Sequence, residues 1–132
     1  MTLIVCLDDN NGMMFNNRRQ SRDAAVIADA VAFAAPEKLA MNSYSAKLFP
    51  DHSVIICEQP LQDLGVYFAE QGDFISWKDR VNKLVIYRWN RTYPADSYFP
   101  LSAFLADMTL IDSVDFQGKS HQQITREVYA AE

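Results

Sequence analysis

The chain has 132 residues and a formal net charge of -5, with 49% hydrophobic and 22% charged residues. These values predict one globular domain over residues 1–132 and exclude a disordered chain, which would be poorer in hydrophobic residues. The acidic balance argues against a nucleic-acid partner, which needs a basic face, and no apolar run reaches the ~20 residues of a membrane helix.

The first part of the chain predicts a strand, a loop and a helix. The aliphatic run TLIVCL at residues 2–7 is typical of a strand that is covered on both faces. Turn residues follow at 8–12, and residues 13–20 predict a loop. An alanine-rich helix comes next, for which Ser21 is the predicted N-cap and Pro36 the stop.

Later segments continue the alternation of strands and short helices. In chain order, the predictions are a strand at 39–41, a short helix at 42–49, buried strands at 53–57 and 65–70, a helical turn within 75–81, a long strand at 83–89, and an irregular segment at 90–100. Residues 108–116 and 124–130 alternate apolar and polar side chains, which predicts an antiparallel pair. The whole pattern indicates a mixed α/β domain with roughly six to eight strands.

Three arginines gather where the alanine-rich helix begins. Arg18, Arg19 and Arg22 precede Asp23 directly, although the chain as a whole is acidic. Guanidinium groups bind phosphate or carboxylate through paired donors, and a helix N-terminus adds partial positive charge. This cluster predicts an anion pocket in which the Asp23 carboxylate accepts hydrogen bonds from a ring. The alternative is a solvated loop whose arginines pair with Asp8, Asp9 or Asp96.

Two further groups have both a functional and a structural interpretation. Asn42 and Ser43 open a hydroxyl-rich strand-to-helix junction, which either cradles an anion or caps the helix through Ser43. Strand alternation places Tyr87 and Trp89 on one face and Arg88 on the other. That face either lines a ligand cleft or packs in the core.

The cysteines and histidines indicate the cellular compartment, and they give no pattern for a nucleophilic triad or a metal site. Cys6 and Cys57 each lie in an apolar run, which is typical of free core thiols in a reducing compartment. The N-terminus lacks a signal-peptide pattern, so we expect a cytoplasmic protein. Ser120 and His121 are adjacent on a polar turn, where they are not expected to face each other as a triad requires. No metal-binding spacing is present.

The order of these segments resembles dihydrofolate reductase nearly end to end. The matching segments are LIVCLDDNNGM, RDAAVIADAVAF, KLAMNSYSAKLF, VIICEQP, KLVIYRW followed by ADSYFP, and SHQQITREVY. The resemblance implies a dihydrofolate reductase-like mixed central sheet with flanking helices and a C-terminal antiparallel strand pair. It also implies that Asp23 takes the place of the acid that grips the pterin, that Tyr87 lines the substrate cleft, and that Asp96 bonds the loop after the first strand.

The chain departs from that family where the nicotinamide dinucleotide would bind. The family uses a Gly-Gly pair at a strand end, whereas this chain has four glycines and no pair. Residues 69–82 are too few for the elements that the reductases place there. Asn42 and Ser43 replace a Gly-Arg pair that meets cofactor phosphates, and the Pro-Trp of the substrate loop is absent. We therefore expect a trimmed cofactor region and no bound cofactor.

The stretch NNGM-x-FNNRRQSRD also resembles a group of short bacterial proteins that are labelled ribonuclease Z. The true enzyme needs a histidine-rich cluster that holds two zinc ions. This chain has only His52 and His121, which are far apart in sequence. The sequence therefore argues against a zinc phosphodiesterase site of that kind.

We predict a small-ligand binding protein whose ligand is nucleotide-like or another anionic heterocycle, without NADPH-dependent reductase activity. The predicted ligand-binding residues are Arg18, Arg19, Arg22, Asp23, Asn42, Ser43 and Tyr87. Two alternatives stay open: a protein-interaction or regulatory module with a vestigial cleft, and a nucleic-acid-processing enzyme. The sequence singles out no catalytic residue and leaves open both a reaction and the oligomeric state.

Overall fold

A computed structural model describes residues 1–131 of the chain. The helices are α1 (Ala24–Ala34), α2 (Ser43–Ala46), α3 (Phe74–Trp77) and α4 (Leu101–Leu105), and a turn of 3-10 helix spans Lys78–Arg80. The strands are β1 (Thr2–Leu7), β2 (Gly12–Phe15), β3 (Arg18–Arg19), β4 (Ala40–Met41), β5 (Ile55–Ile56), β6 (Val66–Phe68), β7 (Lys83–Arg88), β8 (Ser97–Tyr98), β9 (Met108–Phe116) and β10 (Ile124–Ala131).

Seven of these strands form one central sheet in the order β5-β4-β6-β1-β7-β10-β9. β1 pairs in parallel with β6 and with β7, and β4 pairs in parallel with β5 and β6. β10 runs antiparallel to both β7 and β9. The C-terminal antiparallel pair is therefore confirmed, and it extends the parallel part of the sheet.

The central position of β1 follows from its sequence. Leu3, Val5 and Leu7 pack into one hydrophobic cluster, while Ile4 packs into a second cluster on the opposite face. All four side chains are fully buried. A run of aliphatic residues without polar alternation is stable only where helices or loops cover both faces of the strand.

Helices cover the two faces of the sheet. α1 contributes Val26, Ala30 and Ala34 to the cluster that contains Ile4, and its small side chains let it lie close to the strands. α3 and α4 contribute Phe74, Trp77 and Phe104 to the other cluster. None of the helices within residues 1–131 has the length and apolar character needed to cross a bilayer.

A second sheet of three strands forms from residues that the sequence predicted to be a loop or an irregular segment. Its order is β3-β2-β8, and all pairings are antiparallel. The β2–β3 turn uses Asn16 and Asn17, both with positive φ, a conformation that asparagine tolerates better than most residues. The predictions of a loop at 13–20 and of an irregular segment at 90–100 are therefore wrong in part.

Two local predictions are also corrected, and one helix was missed. The N-cap of α1 is Asp23 and not Ser21, because the Asp23 side chain accepts a hydrogen bond from the backbone N–H of Ala25. The predicted buried strand at 53–57 is a two-residue edge strand, in which Ile56 is 59% exposed. α4 was not predicted, because its five residues are too few to show helical periodicity.

Candidate functional site

The candidate site lies where the parallel strands end and α1 begins. β1, β4, β6 and β7 point their carboxyl ends to one edge of the sheet. The chain returns to this edge at Asp23, the N-cap of α1. In open α/β sheets, this edge is where ligands bind, since loops and helix N-termini converge there.

Asp23 is the most constrained residue of this edge. The residue is 3% exposed, and the two oxygens of its side chain accept hydrogen bonds from several protein groups. The donors are the backbone N–H of Ala25 (2.8 Å), of Lys119 (2.9 Å) and of Ser120 (2.9 Å), and Nδ1 of His121 lies 2.9 Å away. One carboxylate thus joins the start of α1 to the 118–121 turn before β10.

These contacts keep Asp23 ionised. Burial opposes the charged form, but hydrogen bonds from Lys119, His121, Ser120 and Ala25 outweigh it and hold the pKa of Asp23 well below its ordinary value. Since protein donors already occupy both oxygens, a direct contact between Asp23 and a ligand stays a prediction. The structure places its charge next to His121.

His121 is buried and makes contacts with both ring nitrogens. Its Nδ1 faces Asp23, and its Nε2 lies 3.0 Å from Ser21 Oγ and 3.1 Å from the Tyr93 hydroxyl. The ring stacks on Trp89 with centroids 4.8 Å apart. We call Ser21, His121 and Asp23 the Asp23–His121 array.

Ser120 also touches this array. Its Oγ lies 3.2 Å from Nδ1 of His121 and donates to Asp23 at 3.2 Å. The prediction that the neighbouring residues Ser120 and His121 do not face each other is therefore wrong. The serine that faces Nε2 is Ser21, however, and no sequence signal links it to a histidine 100 positions away.

Arg19 is the arginine of the cluster that has a carboxylate partner. Its Nε and one terminal nitrogen donate to Glu70 at 2.8 and 3.1 Å, and Ser45 Oγ donates to the same carboxylate at 2.9 Å. The guanidinium lies over the Tyr44 ring, 4.4 Å from its centroid. The acid is Glu70, so the pairing with Asp8, Asp9 or Asp96 that the alternative interpretation named is wrong.

Arg18 and Arg22 are exposed and form no ion pair with any carboxylate of residues 1–131. Together with Arg19, Ser21 and Tyr44 they line an open hollow of about 470 Å³, which we call the arginine hollow. The arginine cluster therefore surrounds a concave surface and is not wholly neutralised by neighbouring acids.

A second hollow, the α1 cleft, lies between α1, residues 47–52 and the 118–121 turn. Its volume is about 510 Å³, and Arg22 lines both hollows. Charged and polar groups of the lining include Arg22, Asp23, Lys47, Asp51, His52, Lys119 and Ser120. Apolar lining residues are Ala24, Ile27, Ala28, Leu48 and Pro50.

The backbone matches a known enzyme closely. It is similar to dihydrofolate reductase from Enterococcus faecalis, solved in complex with NADP(H) and RAB-propyl, with a TM-score of 0.71. The alignment covers 99% of this chain and 95% of that chain at 10% sequence identity. The chain has a dihydrofolate reductase-like fold. No protein-family model matches the sequence, and no curated protein matches it either.

The predicted fold class is thus confirmed, and α1 corresponds to the segment that resembles the substrate-side helix. In this dihydrofolate reductase-like fold, α1 forms one wall of the α1 cleft. The strand-to-helix junction between β6 and α3 carries Ala69 and Glu70, and it holds no pair of adjacent glycines. Residues 69–82 hold only α3 and one turn of 3-10 helix.

The remaining predicted residues lie outside both hollows. Asn42 caps α2 by accepting from the Ser45 backbone N–H at 2.8 Å, so the prediction that Ser43 is the cap is wrong. Ser43 is exposed, and its backbone N–H donates to Glu58. Tyr87 is fully buried beneath α1, and its hydroxyl donates to Asp29 at 2.6 Å. Their contact with a ligand stays a prediction.

The loop after β1 is held as the sequence predicted. Asp96 accepts a hydrogen bond from the Asn16 backbone N–H at 3.1 Å, which confirms the predicted tie between Asp96 and this loop. Asp8 is fully buried and accepts from the backbone N–H of Gly12 and of Tyr93. Two carboxylates thus fix the arginine-bearing hairpin in place.

Sequence reasoning missed Lys47, His52 and Lys119, which line the α1 cleft, and Glu70, which neutralises Arg19. Each is a lone ionisable residue without a motif around it. Within residues 1–131, no three His, Cys, Asp or Glu side chains gather as a metal site would need. Cys6 and Cys57 are free, and burial together with the charge of Glu70 raises the pKa of the Cys6 thiol.

Proposed function

We propose that the protein binds a small anionic molecule, such as a nucleotide or another anionic heterocycle, in the α1 cleft. We also propose that it does not carry out NADPH-dependent reduction. The observation that carries this proposal is the convergence of unpaired cations on the cleft. Arg22, Lys47 and Lys119 line it, and none of them pairs with a carboxylate within residues 1–131.

The charge of the lining favours an anion. Against these three cations stand two acids, Asp23 and Asp51. The Asp23 charge is already met by its protein donors, and Asp51 is exposed to solvent. In a chain of net charge -5, a local excess of positive charge attracts anions that the rest of the surface repels.

The apolar part of the lining favours a ligand with a ring or another hydrophobic body. Ile27 of α1 and Leu48 and Pro50 of the opposite wall provide this surface. The volume of about 510 Å³ lies within the range of small-molecule sites, which run from about 300 to 1,000 Å³. A molecule with an anionic end and a flat body would match both halves of the cleft.

The residues present do not fit a nicotinamide dinucleotide. In the dihydrofolate reductases, bare backbone N–H groups at a strand-to-helix junction approach the cofactor phosphates, yet the β6–α3 junction of this chain carries the side chains of Ala69 and Glu70. The buried Glu70 carboxylate is held there by Arg19 and Ser45, and a pyrophosphate would meet this negative charge. α3 has only four residues, so its N-terminus offers little compensating dipole.

Some of the predicted binding residues would meet the anion, and others would position their neighbours. Arg22 meets the anion in the cleft, and Arg18 extends the positive surface into the arginine hollow. Arg19 is held by Glu70 and positions Tyr44, whose hydroxyl accepts from the Arg19 backbone N–H at 3.1 Å. Asp23 acts indirectly, by fixing the N-terminus of α1 and the turn that carries Lys119.

The test is a thermal-shift and calorimetric screen of the purified chain against nucleotides, folates and NADPH. A ligand that binds only the native state raises the melting temperature, by an amount set by its concentration and affinity. We expect at least one nucleotide or folate to raise it and NADPH to leave it unchanged. No shift from any of these ligands at millimolar concentration would contradict the proposal, and a co-purifying protein would favour an interaction module.

A charge-matched pair of double variants locates the site. Arg22→Gln with Lys119→Gln removes two cations from the cleft, and we expect affinity for the ligand to fall at least tenfold. Lys38→Gln with Arg91→Gln removes two exposed cations that line neither hollow. Equal weakening by both double variants would show that overall charge, and not the cleft, attracts the ligand.

A further inference from the structure

The Asp23–His121 array has the connectivity of a nucleophile, a base and an orienting acid. Ser21 Oγ lies 3.0 Å from Nε2 of His121, and Nδ1 of the same ring lies 2.9 Å from Asp23. Hydrogen-bond contact from nucleophile to base, and from base to a third group, is the geometric signature of an activated serine. The three residues come from both ends of the chain.

The contacts of the ring fix which nitrogen carries the proton. Asp23 is ionised and can only accept, so Nδ1 of His121 must be the donor. In the neutral ring Nε2 is then the acceptor, and it faces the hydroxyls of Ser21 and Tyr93. Stacking on Trp89 and burial hold the ring in this orientation.

We propose that Ser21 is the nucleophile of an esterase activity toward small esters that carry an anionic group, with His121 as the general base. This inference rests on the proposed function, because the same cationic surface would recruit the substrate. Ser21 lines the arginine hollow beside Arg18 and Arg22. Their guanidinium groups supply N–H donors both for the anionic group and for the oxyanion that forms on attack.

The reaction needs only the ester and water. Ser21 Oγ forms a bond to the carbonyl carbon while its proton passes to Nε2 of His121, and Asp23 stabilises the imidazolium. The bond from carbon to the alcohol oxygen then breaks, and the alcohol leaves with that proton. Water attacks the acyl group with His121 again as base, the bond to Ser21 breaks, and the acid is released.

The Tyr93 hydroxyl contacts the same nitrogen of His121 as Ser21 does. This hydroxyl shares the Nε2 lone pair with Ser21, so it competes for the base. Tyr93→Phe removes this competitor and leaves the contacts of His121 with Asp23, Ser21 and Trp89. The serine should therefore react at least as fast in this variant as in the unaltered protein.

The first experiment uses a fluorophosphonate, which forms a stable bond from phosphorus to an activated serine oxygen with loss of fluoride. Intact mass and peptide mapping should show one adduct, on Ser21. Ser21→Ala should abolish it, and His121→Gln should slow it at least 100-fold, the usual contribution of a general base. Ser102→Ala is the matched control, because this exposed serine of α4 touches neither the Asp23–His121 array nor the two hollows; the variant should still be labelled on Ser21.

The second experiment measures turnover of two 4-nitrophenyl esters, a succinate monoester with a free carboxylate and a neutral butyrate. We expect kcat/KM to favour the anionic ester at least tenfold, and Arg18→Gln with Arg22→Gln to remove this preference. No adduct on Ser21, an adduct that forms equally fast in His121→Gln, or slower labelling in Tyr93→Phe would overturn the inference.

Failure of this inference and failure of the proposed function are distinguishable. Ser21→Ala leaves the α1 cleft intact, so it should keep the ligand-induced rise in melting temperature while losing the adduct. If the unaltered protein shows that rise but no adduct, the esterase inference is wrong and the binding function stands. If neither is seen, both are wrong.

Discussion

Asp23→Asn tests the central contact of the site. Asparagine keeps the shape and one acceptor oxygen, so it can still accept from Ala25 and Lys119. The amide nitrogen that replaces the second oxygen would face three donors: the Ser120 backbone N–H, the Ser120 hydroxyl and Nδ1 of His121. Donors that face donors in a buried site lose their hydrogen bonds and repel each other.

The size of the effect follows from these contacts. The Ser120 hydroxyl can turn to donate to the Arg22 carbonyl oxygen, which lies 3.1 Å away, so two hydrogen bonds are lost. Each hydrogen bond to a charged group contributes about 1.5–3 kcal/mol, so their loss costs about 4 kcal/mol. Unfolding entropy of about 2.1 cal/mol/K per residue gives roughly 0.28 kcal/mol/K for a chain of 132 residues. The melting temperature of Asp23→Asn should therefore fall by about 14 °C.

The assay is urea unfolding at several pH values. Because the folded pKa of Asp23 is lowered, its stabilisation is complete above its unfolded pKa of about 3.9 and is lost as the pH falls toward the folded value. At pH 7 the free energy of unfolding of Asp23→Asn should be lower than that of the unaltered protein by the whole of this difference, about 4 kcal/mol. The difference should narrow by about 1.4 kcal/mol per pH unit below pH 3.9.

The control is Asp63→Asn, an exposed acid for which we expect a change of less than about 0.5 kcal/mol. If Asp23→Asn were as stable as this control at pH 7, the hydrogen bonds to Asp23 would not carry the energy assigned to them. A constant difference between pH 7 and pH 3 would refute the assigned ionisation.

Three further variants probe neighbouring contacts. Glu70→Gln leaves its arginine partner without a counter-charge in a partly buried position, and urea unfolding should show a loss of about 3 kcal/mol. Tyr87→Phe removes the hydroxyl that donates to Asp29 at 2.6 Å, and the same measurement should show a loss of about 1.5 kcal/mol. Gly118→Ala would place a Cβ 2.5 Å from an Asp23 oxygen, so calorimetry should show a melting temperature lowered by several degrees, on the order of 2 kcal/mol.

A control variant or a contrary result can contradict each of these three predictions. Lys78→Gln breaks the exposed ion pair with Asp107 and should lower the free energy of unfolding by less than about 0.5 kcal/mol. An equally small loss in Glu70→Gln would show that burial does not strengthen the pair of Arg19 with Glu70. Tyr98→Phe alters an exposed hydroxyl and should be neutral beside Tyr87→Phe. A Gly118→Ala protein that melts like the parent would show that the 118–121 turn adjusts freely.

The parts of the fold that the sequence predicted well are those that local pattern determines. β1, β7 and the β9–β10 pair were predicted as strands because a buried strand reads as an aliphatic run and a half-exposed strand as alternation. The half-exposure predicted for β9 is wrong, because this edge strand is exposed on both faces. The prediction for Ile55 and Ile56 was wrong for a related reason. The same residues suit an exposed edge strand, and only the position in the sheet decides their burial.

Contacts between distant residues set the limit of sequence reasoning at the site. The arginine cluster was visible because its members are neighbours in sequence, yet Glu70, which neutralises Arg19, lies 51 residues away. The pairing of Asp23 with His121 spans 98 residues, and nothing local to either residue indicates it. The small sheet β3-β2-β8 was missed because two of its three strands have only two residues each, and such short strands exist only through their pairing.

The Asp23 carboxylate caps α1 and also bonds the 118–121 turn, so α1 is fully held only after that turn has been synthesised. α1 begins at residue 24, but Lys119, Ser120 and His121, which also bond its N-cap Asp23, follow 96 to 98 positions after that residue. β10, which lies between β7 and β9, also comes last. A ribosome-bound fragment ending before residue 118 should therefore carry a frayed α1 and an unfinished sheet, and protease sensitivity at residues 20–30 should disappear only once residues 118–131 have left the ribosome.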